Sequence, residues 1–301
     1  TTFPGVGSKF VALASAVDGL GFDITSPREL VLYSPNWNIS SNFGPISCSG
    51  SGRLNIAGPN GKIFANGTSV TNSIARIKNP ILFSGADIEF NVTNAAIGIE
   101  LIGDVFIEGS TVSFYADNIC TGVKLDSADF GISSASTFSI RTSYHNSVPC
   151  FATSVGISIG FATITVDSAS TFLHFVDGDV PIPQIGILIQ SSTITISGDS
   201  SLISQVNIDA TGSDIVGISL IDSQITGTAT LIATIAKFAN QIGIEVIGGV
   251  YNSVEFVGNT SSTGGTGIEI SFSVTVNLCN FAGNSGGSAV FKRGIVIASN
   301  C

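Results

Sequence analysis

Methionine is absent from this chain, and charge is scarce: only 11% of its 301 residues are Asp, Glu, Lys or Arg. Low charge beside 44% hydrophobic residues excludes a disordered segment, which combines high charge with low hydrophobicity. No apolar run approaches the ~18 residues that a membrane-spanning helix needs. Eleven basic residues face 21 acidic ones, for a net charge of −10. That balance argues against nucleic acid as a partner, because phosphates call for a basic patch. It fits a self-repelling, soluble surface protein. With no methionine and Thr1 at the start, the expectation is an initiator removed or lying upstream, most simply with a cleaved export signal. The expected location is then outside the cell or on its surface.

The five cysteines, Cys48, Cys120, Cys150, Cys279 and Cys301, include no C-x-x-C pair or other zinc spacing. No metal centre and no cofactor is therefore expected. Export would permit disulfides. The sequons at Asn38, Asn66, Asn91 and Asn259 would accept N-glycans in a eukaryotic secretory pathway, although a chain this rich in Asn, Ser and Thr makes such triplets by chance.

What the chain has in abundance is one phrase. "VGISIGFATITV" at 155–166 is nearly rewritten as "IGILIQSSTITI" at 185–196. The core of the phrase, glycine, then Ile or Val, any residue, and another aliphatic, begins at Gly98, Gly122, Gly156, Gly186, Gly217, Gly243, Gly267 and Gly294. The spacings are 24, 34, 30, 31, 26, 24 and 27 residues, a period that signals a solenoid. Inside each unit the period is two: Ile157, Ile159, Ile164 and Val166 alternate with small or polar residues. That is strand text with one buried and one wet face, and its β-branched composition disfavours a helical solenoid. A leucine-rich repeat lacks its consensus here, and a propeller blade needs a longer period.

These readings leave an all-β fold, a parallel β-helix solenoid of roughly nine to ten coils, with inward residues stacked at ~4.8 Å. Unequal spacings place outward loops near 143–150 and 177–183. Residues 46–301 are assigned to the β-helix. Residues 1–45 do not repeat and are assigned to an N-terminal capping and assembly segment. Ile157, Ile187, Ile218, Ile244, Ile268 and Ile295 are expected to form one inward column. Cys120 and Cys150 lie in adjacent coils, as do Cys279 and Cys301, so these are the candidate disulfides.

On its coil periodicity and its G-[IV]-x-[ILV] strand, the chain from about residue 50 onward resembles the right-handed parallel β-helix superfamily, the pectin-lyase-like fold. The resemblance implies right-handed coils and raises the prospect of polysaccharide chemistry. Arg76-Ile77-Lys78 resembles the R-I-K of polygalacturonase-like hydrolases, but that family also carries N-T-D, D-D and G-H-G, and this chain has no D-D or G-H-G. The plainer reading is two exposed basic residues flanking an inward Ile77.

Glu245 and Glu269 hold one outward position in consecutive coils, so their carboxylates are a candidate cation site, a pair at the spacing of a retaining glycosidase, or simply two solvated side chains. Glu100 and Lys124, related in the same way, are expected to pair. Asp177 and Asp179 read as a polar turn or a chelating pair. His145 and His174, the only histidines, stand in no Ser-His-Asp or H-E-x-x-H context and receive no role. Thr163, Thr165, Thr193, Thr195 and Thr226 make a short Thr-x-Thr array, of the kind that ice-binding solenoids present, which ordinary strand propensity also explains.

The functional expectation is a structural subunit: a surface fibre or filament built by end-to-end stacking of β-helices. An enzyme is not the favoured reading. The alternatives are a carbohydrate-binding adhesin and a polysaccharide-degrading enzyme. The partner is the chain itself, in a head-to-tail homopolymer, with surface glycans as a second class. The expected contact joins Phe3 and Phe10 of one copy to an edge formed by Gly294, Ile295, Ile297 and Cys301 of the next.

Overall fold

The computed structural model describes residues 21–285, except 24–28, 34–36, 42–45, 50–52, 67–72, 79, 127, 145–153, 179–183, 209–214, 237–240 and 261–265. Its elements are all strands, and every pairing between them is parallel. The protein is an all-β parallel solenoid. Each coil contributes one strand to each of three sheets. The first holds Ser73–Ile77, 97–101, 121–126, Ser154–Gly160, Gln184–Gln190, Ile215–Ile221, 241–247 and 266–271. The second holds 81–84, Val105–Glu108, Asp129–Ser133, Thr163–Val166, Thr193–Ile196, 224–226 and 250–252. The third holds 87–93, 111–117, Thr137–Tyr144, Thr171–Gly178, Ser201–Ile208, 230–236 and 255–260.

The repeated phrase therefore spells two neighbouring rungs. Ile157 pairs with Ile187 in the first sheet, and Ile164 with Ile194 in the second. Counted along the first sheet, the described strands make ten rungs, from Gly21–Asp23 and Ile46–Ser49 through Ser73–Ile77 to 266–271. Toward the N-terminus, Gly21–Asp23, Glu29–Tyr33 and Trp37–Ser41, all inside the segment read as a cap, pair in parallel with Ile46–Ser49 and Arg53–Asn66.

Alternation decides what is inside. Ile157, Ile187, Ile218, Ile244 and Ile268 are 0–4% exposed and stack in register as one column; Ile295 lies outside the described residues. Each such side chain gains about 1.5–3 kcal/mol from leaving water. The phrase's glycine has a steric cause. A Cβ on Gly98, Gly122, Gly156, Gly186 or Gly243 would stand 2.5–2.7 Å from the carbonyl oxygen of the next glycine in the column. At Gly156 it would also overlap His174 Nε2, and at Gly186 the Ser204 hydroxyl. The first sheet approaches the third this closely only where no side chain intervenes.

The corners are tied by buried serines. At the turn from second to third sheet, the backbone N–H of Ala86 donates to Ser110 Oγ at 2.9 Å. Ser110, Ser136 and Ser170 donate likewise to Ser136, Ser170 and Ser200, each at 3.1 Å. At the turn from first to second sheet, Ala162 donates to Ser192 and Ser192 to Ser223. A sharp corner strands backbone donors away from water, and an unpaired one costs about 1–3 kcal/mol. One small hydroxyl per coil meets that need. Chain length varies at the remaining corner, between Thr137–Tyr144 and Ser154–Gly160 and between Thr171–Gly178 and Gln184–Gln190; residues 143–144 and 177–178 of the expected loops are strand, and the rest lie outside the described residues.

Candidate functional site

With the interior closed, chemistry is available on the outer faces of the sheets. On the first sheet the outward column runs Glu100, Lys124, Ser158, Leu188, Ser219, Glu245 and Glu269. Lys124 Nζ lies 3.5 Å from Glu100 Oε1, the pair expected from the repeat, and 3.2 Å from Asp126 Oδ2. Ile77 is buried and Lys78 exposed. Glu245 and Glu269 face each other across one rung, and Ser219 Oγ donates to Glu245 Oε2 at 2.7 Å. That hydrogen bond orients one carboxylate. Among the described residues no group of three or more His, Cys, Asp or Glu could hold a metal ion.

On the second sheet, Thr163 stands opposite Thr193, and Thr165 opposite Thr195 and then Thr226. The Thr195 and Thr226 hydroxyls are 3.5 Å apart. The column continues as Asn252 and Asn277, whose amides bond at 2.7 Å.

The third sheet carries a constellation that the repeat did not disclose. Tyr115, Arg141 and Phe175 occupy one outward position on three successive rungs. Tyr115 is 40% and Phe175 36% exposed, and Arg141 is exposed between them. Asn91 precedes Tyr115 in the column, and its Nδ2 donates to Glu89 Oε1 at 2.7 Å. Gln205 follows Phe175. Beside Tyr115 and Arg141 the Ser113 and Ser139 hydroxyls bond at 2.9 Å, and on the other flank lies the half-buried Asp117. Rungs are ~4.8 Å apart, so the two rings stand roughly 10 Å apart along the axis with a guanidinium between. The signal was available. Arg141 and Phe175 each follow the preceding coil's glycine by 19 residues, and Tyr115 by 17.

His174 is fully buried, with Nε2 3.3 Å from Thr142 Oγ1, while Nδ1 has no hydrogen-bond partner. Burial pushes its pKa down to about 3, so it is neutral and belongs to the interior. His145, Asp179 and the assembly residues Phe3, Phe10, Gly294, Ile295, Ile297 and Cys301 lie outside the described residues. So does Cys150. Cys120 is disulfide-bonded. Cys279 is a half-buried thiol whose Sγ lies 3.4 Å from the Tyr251 carbonyl oxygen and 3.3 Å from that of Asn277. Among the described residues no helix is long and apolar enough to cross a membrane.

No protein-family model matches this chain, and neither a curated protein nor a solved structure matches it.

Proposed function

We propose that this protein is a structural subunit that stacks through its coils into a fibre or filament outside the cell or on its surface. The observation that carries the reading is the sameness of the coil-to-coil interface. Each of the three sheets repeats one parallel register from rung to rung, over the same inward columns. Such a ladder is translationally repetitive. Copies joined coil to coil would continue the bonds that coils within one copy make, and a head-to-tail contact that does not close into a ring propagates. The contact we favour brings the segment containing Phe3 and Phe10 onto that containing Gly294, Ile295, Ile297 and Cys301. Membership of the right-handed, pectin-lyase-like group is part of the same proposal and rests on the coil periodicity.

Net charge of −10 opposes the approach of two copies, so assembly should strengthen as salt screens it. Sedimentation velocity over a concentration series, at low and at physiological ionic strength, tests this, with electron microscopy of the heaviest fraction. Long single-width polymers that grow with concentration and salt are expected. One monomeric species under every condition would remove the proposal.

A further inference from the structure

We propose that the outer face of the third sheet is the N-glycosylated face of this protein, with Asn91 as its central acceptor. The proposal rests on the exterior location proposed above, reached through a eukaryotic secretory pathway, and not on polymerisation.

The first reason is placement. Sequons produced by composition alone would scatter over three sheets and over inward and outward positions. All four instead begin on third-sheet strands, within Trp37–Ser41, 61–66, 87–93 and 255–260. Asn38 takes the register position of Lys62 and Glu89, and Asn66 that of Thr93. Asn259 takes the position of Asn91 itself, reached along the column through Tyr115, Arg141, Phe175, Gln205 and Thr234. These positions alternate with the buried ones, which are Ile88, Phe90 and Val92 toward one end and Phe256 and Gly258 toward the other. The described first-sheet strands contain no asparagine. On the second sheet, Asn55, Asn252 and Asn277 are followed two residues on by Ala57, Val254 and Cys279, not by Ser or Thr.

The second reason is what the strand does to the triplet. Side-chain direction has period two, so the acceptor and the hydroxyl residue of an N-x-T triplet share one face. Asn91 and Thr93 are half-buried, while Val92 between them is 1% exposed. The Asn91 amide faces outward, where Nδ2 donates to Glu89 Oε1 at 2.7 Å. Strand 87–93 is paired on both sides, so its backbone ladder does not depend on that amide. In the transfer, the Asn91 amide nitrogen bonds to the anomeric carbon of an oligosaccharide carried on a lipid diphosphate. The bond from that carbon to the diphosphate breaks, the lipid diphosphate leaves, and the amide gives up one proton while keeping the other. One rung on, the 40% exposed ring of Tyr115 offers an apolar surface to the first sugar.

The test is to secrete the full chain from a eukaryotic cell line behind a cleaved export signal. Medium and cell lysate are treated with an amidase that releases N-glycans and leaves Asp at each occupied Asn, and the peptides are mapped by mass. Conversion at Asn91 and at one or more of Asn38, Asn66 and Asn259 is expected. Asn91→Gln and Thr93→Ala should each remove the same single glycan, the second while leaving the acceptor in place. Glycosylated and amidase-treated chains should share one β-type circular dichroism spectrum. The proposal is overturned by no conversion at Asn91 in either fraction, by a Thr93→Ala chain still occupied there, or by a glycosylated chain without the β-type spectrum. Sedimentation reads polymerisation separately, so a glycosylated monomer would remove the filament and leave this face standing.

Discussion

The coils on either side of residue 180 share one backbone ladder and fill it differently. On the N-terminal side the interior is aromatic. Phe90 stacks on Phe114 at 4.5 Å, Phe114 meets Phe138 edge-on at 5.3 Å, and Phe130 and Phe172 close around Phe138 at 5.1 Å each. From 187 to 225 the interior is aliphatic: Ile187, Ile189, Ile194, Ile196, Ile218, Leu220 and Ile225 are all fully buried, before Tyr251 and Phe256 bring back a ring pair at 5.7 Å. A single third-sheet column records the change, running Phe90, Phe114, Ile140, His174, Ser204. As the side chain shrinks it also turns polar, and the polar groups find partners across the interior. Ser204 Oγ donates to the Gly217 carbonyl at 3.0 Å, and His174 meets Thr142. The difference teaches that parallel pairing and inward–outward alternation set the shape, while the filling can pass from stacked rings to aliphatic groups to a neutral imidazole and a hydroxyl that each make a polar contact.

Charge placed in either half should break the comparison outright. Ile218→Asp strands a carboxylate in a column none of whose described members is exposed, and no folded, cooperatively melting protein is expected. An unchanged thermal transition would contradict the assigned register. Truncation separates the halves. Phe138→Ala removes a ring packed on Phe114, Phe130 and Phe172, at an expected cost of about 3–5 kcal/mol. Ile189→Val, a single methyl group, should cost about 0.5–1.5 by chemical denaturation. Equal effects would mean that the aromatic cluster is no better packed than the aliphatic stack.

Acid sharpens the contrast, because the polar break in the column contains His174. Its folded-state pKa is about 3 against 6.5 in the unfolded chain, so between these values the unfolded state binds the extra proton. The sign follows: stability falls as pH drops below 6.5, by up to about 1.4 kcal/mol per pH unit. His174→Gln should flatten that slope relative to the parent, the carboxylates being common to both. Parallel pH profiles would refute the buried neutral imidazole. The smallest effect belongs to the surface: Lys124→Ala should cost under about 1 kcal/mol, since its ammonium is partly hydrated beside Glu100 and Asp126.

The fold was legible because its defining contacts recur at one offset. The glycine, the two aliphatics after it and the pair of Glu100 with Lys124 all follow from counting between coils. The aromatic interior was not legible, because a Phe in a strand reads the same whether it stacks on another Phe or on Ile. The serine ladders were hidden among many serines. Tyr115, Arg141 and Phe175 escaped notice because the corner before each first-sheet strand varies in length. Spacing measured backward from the next glycine is 7, 15 and 11 residues, while forward counting aligns Arg141 with Phe175 at 19 and leaves Tyr115 at 17. The Glu245–Glu269 pair was readable as a juxtaposition, and its partner Ser219 was not.

The account stands on one claim, that the recurring glycine admits an inward side chain from the adjoining coil. A double-mutant cycle at Gly156 and His174 tests it most directly. Gly156→Ala places a methyl group on the imidazole, and Gly160→Ala, with nothing within 4 Å of its Cβ, is the control. The prediction is that Gly156→Ala destabilises by about 1–3 kcal/mol and Gly160→Ala barely at all. Adding His174→Ala should return a substantial part of the loss, with a coupling energy above about 1 kcal/mol. The relief should be incomplete, because the Gly186 carbonyl oxygen would remain 2.7 Å from the new methyl group. Strictly additive effects, or a Gly156→Ala protein as stable as its Gly160→Ala counterpart, would contradict the claim.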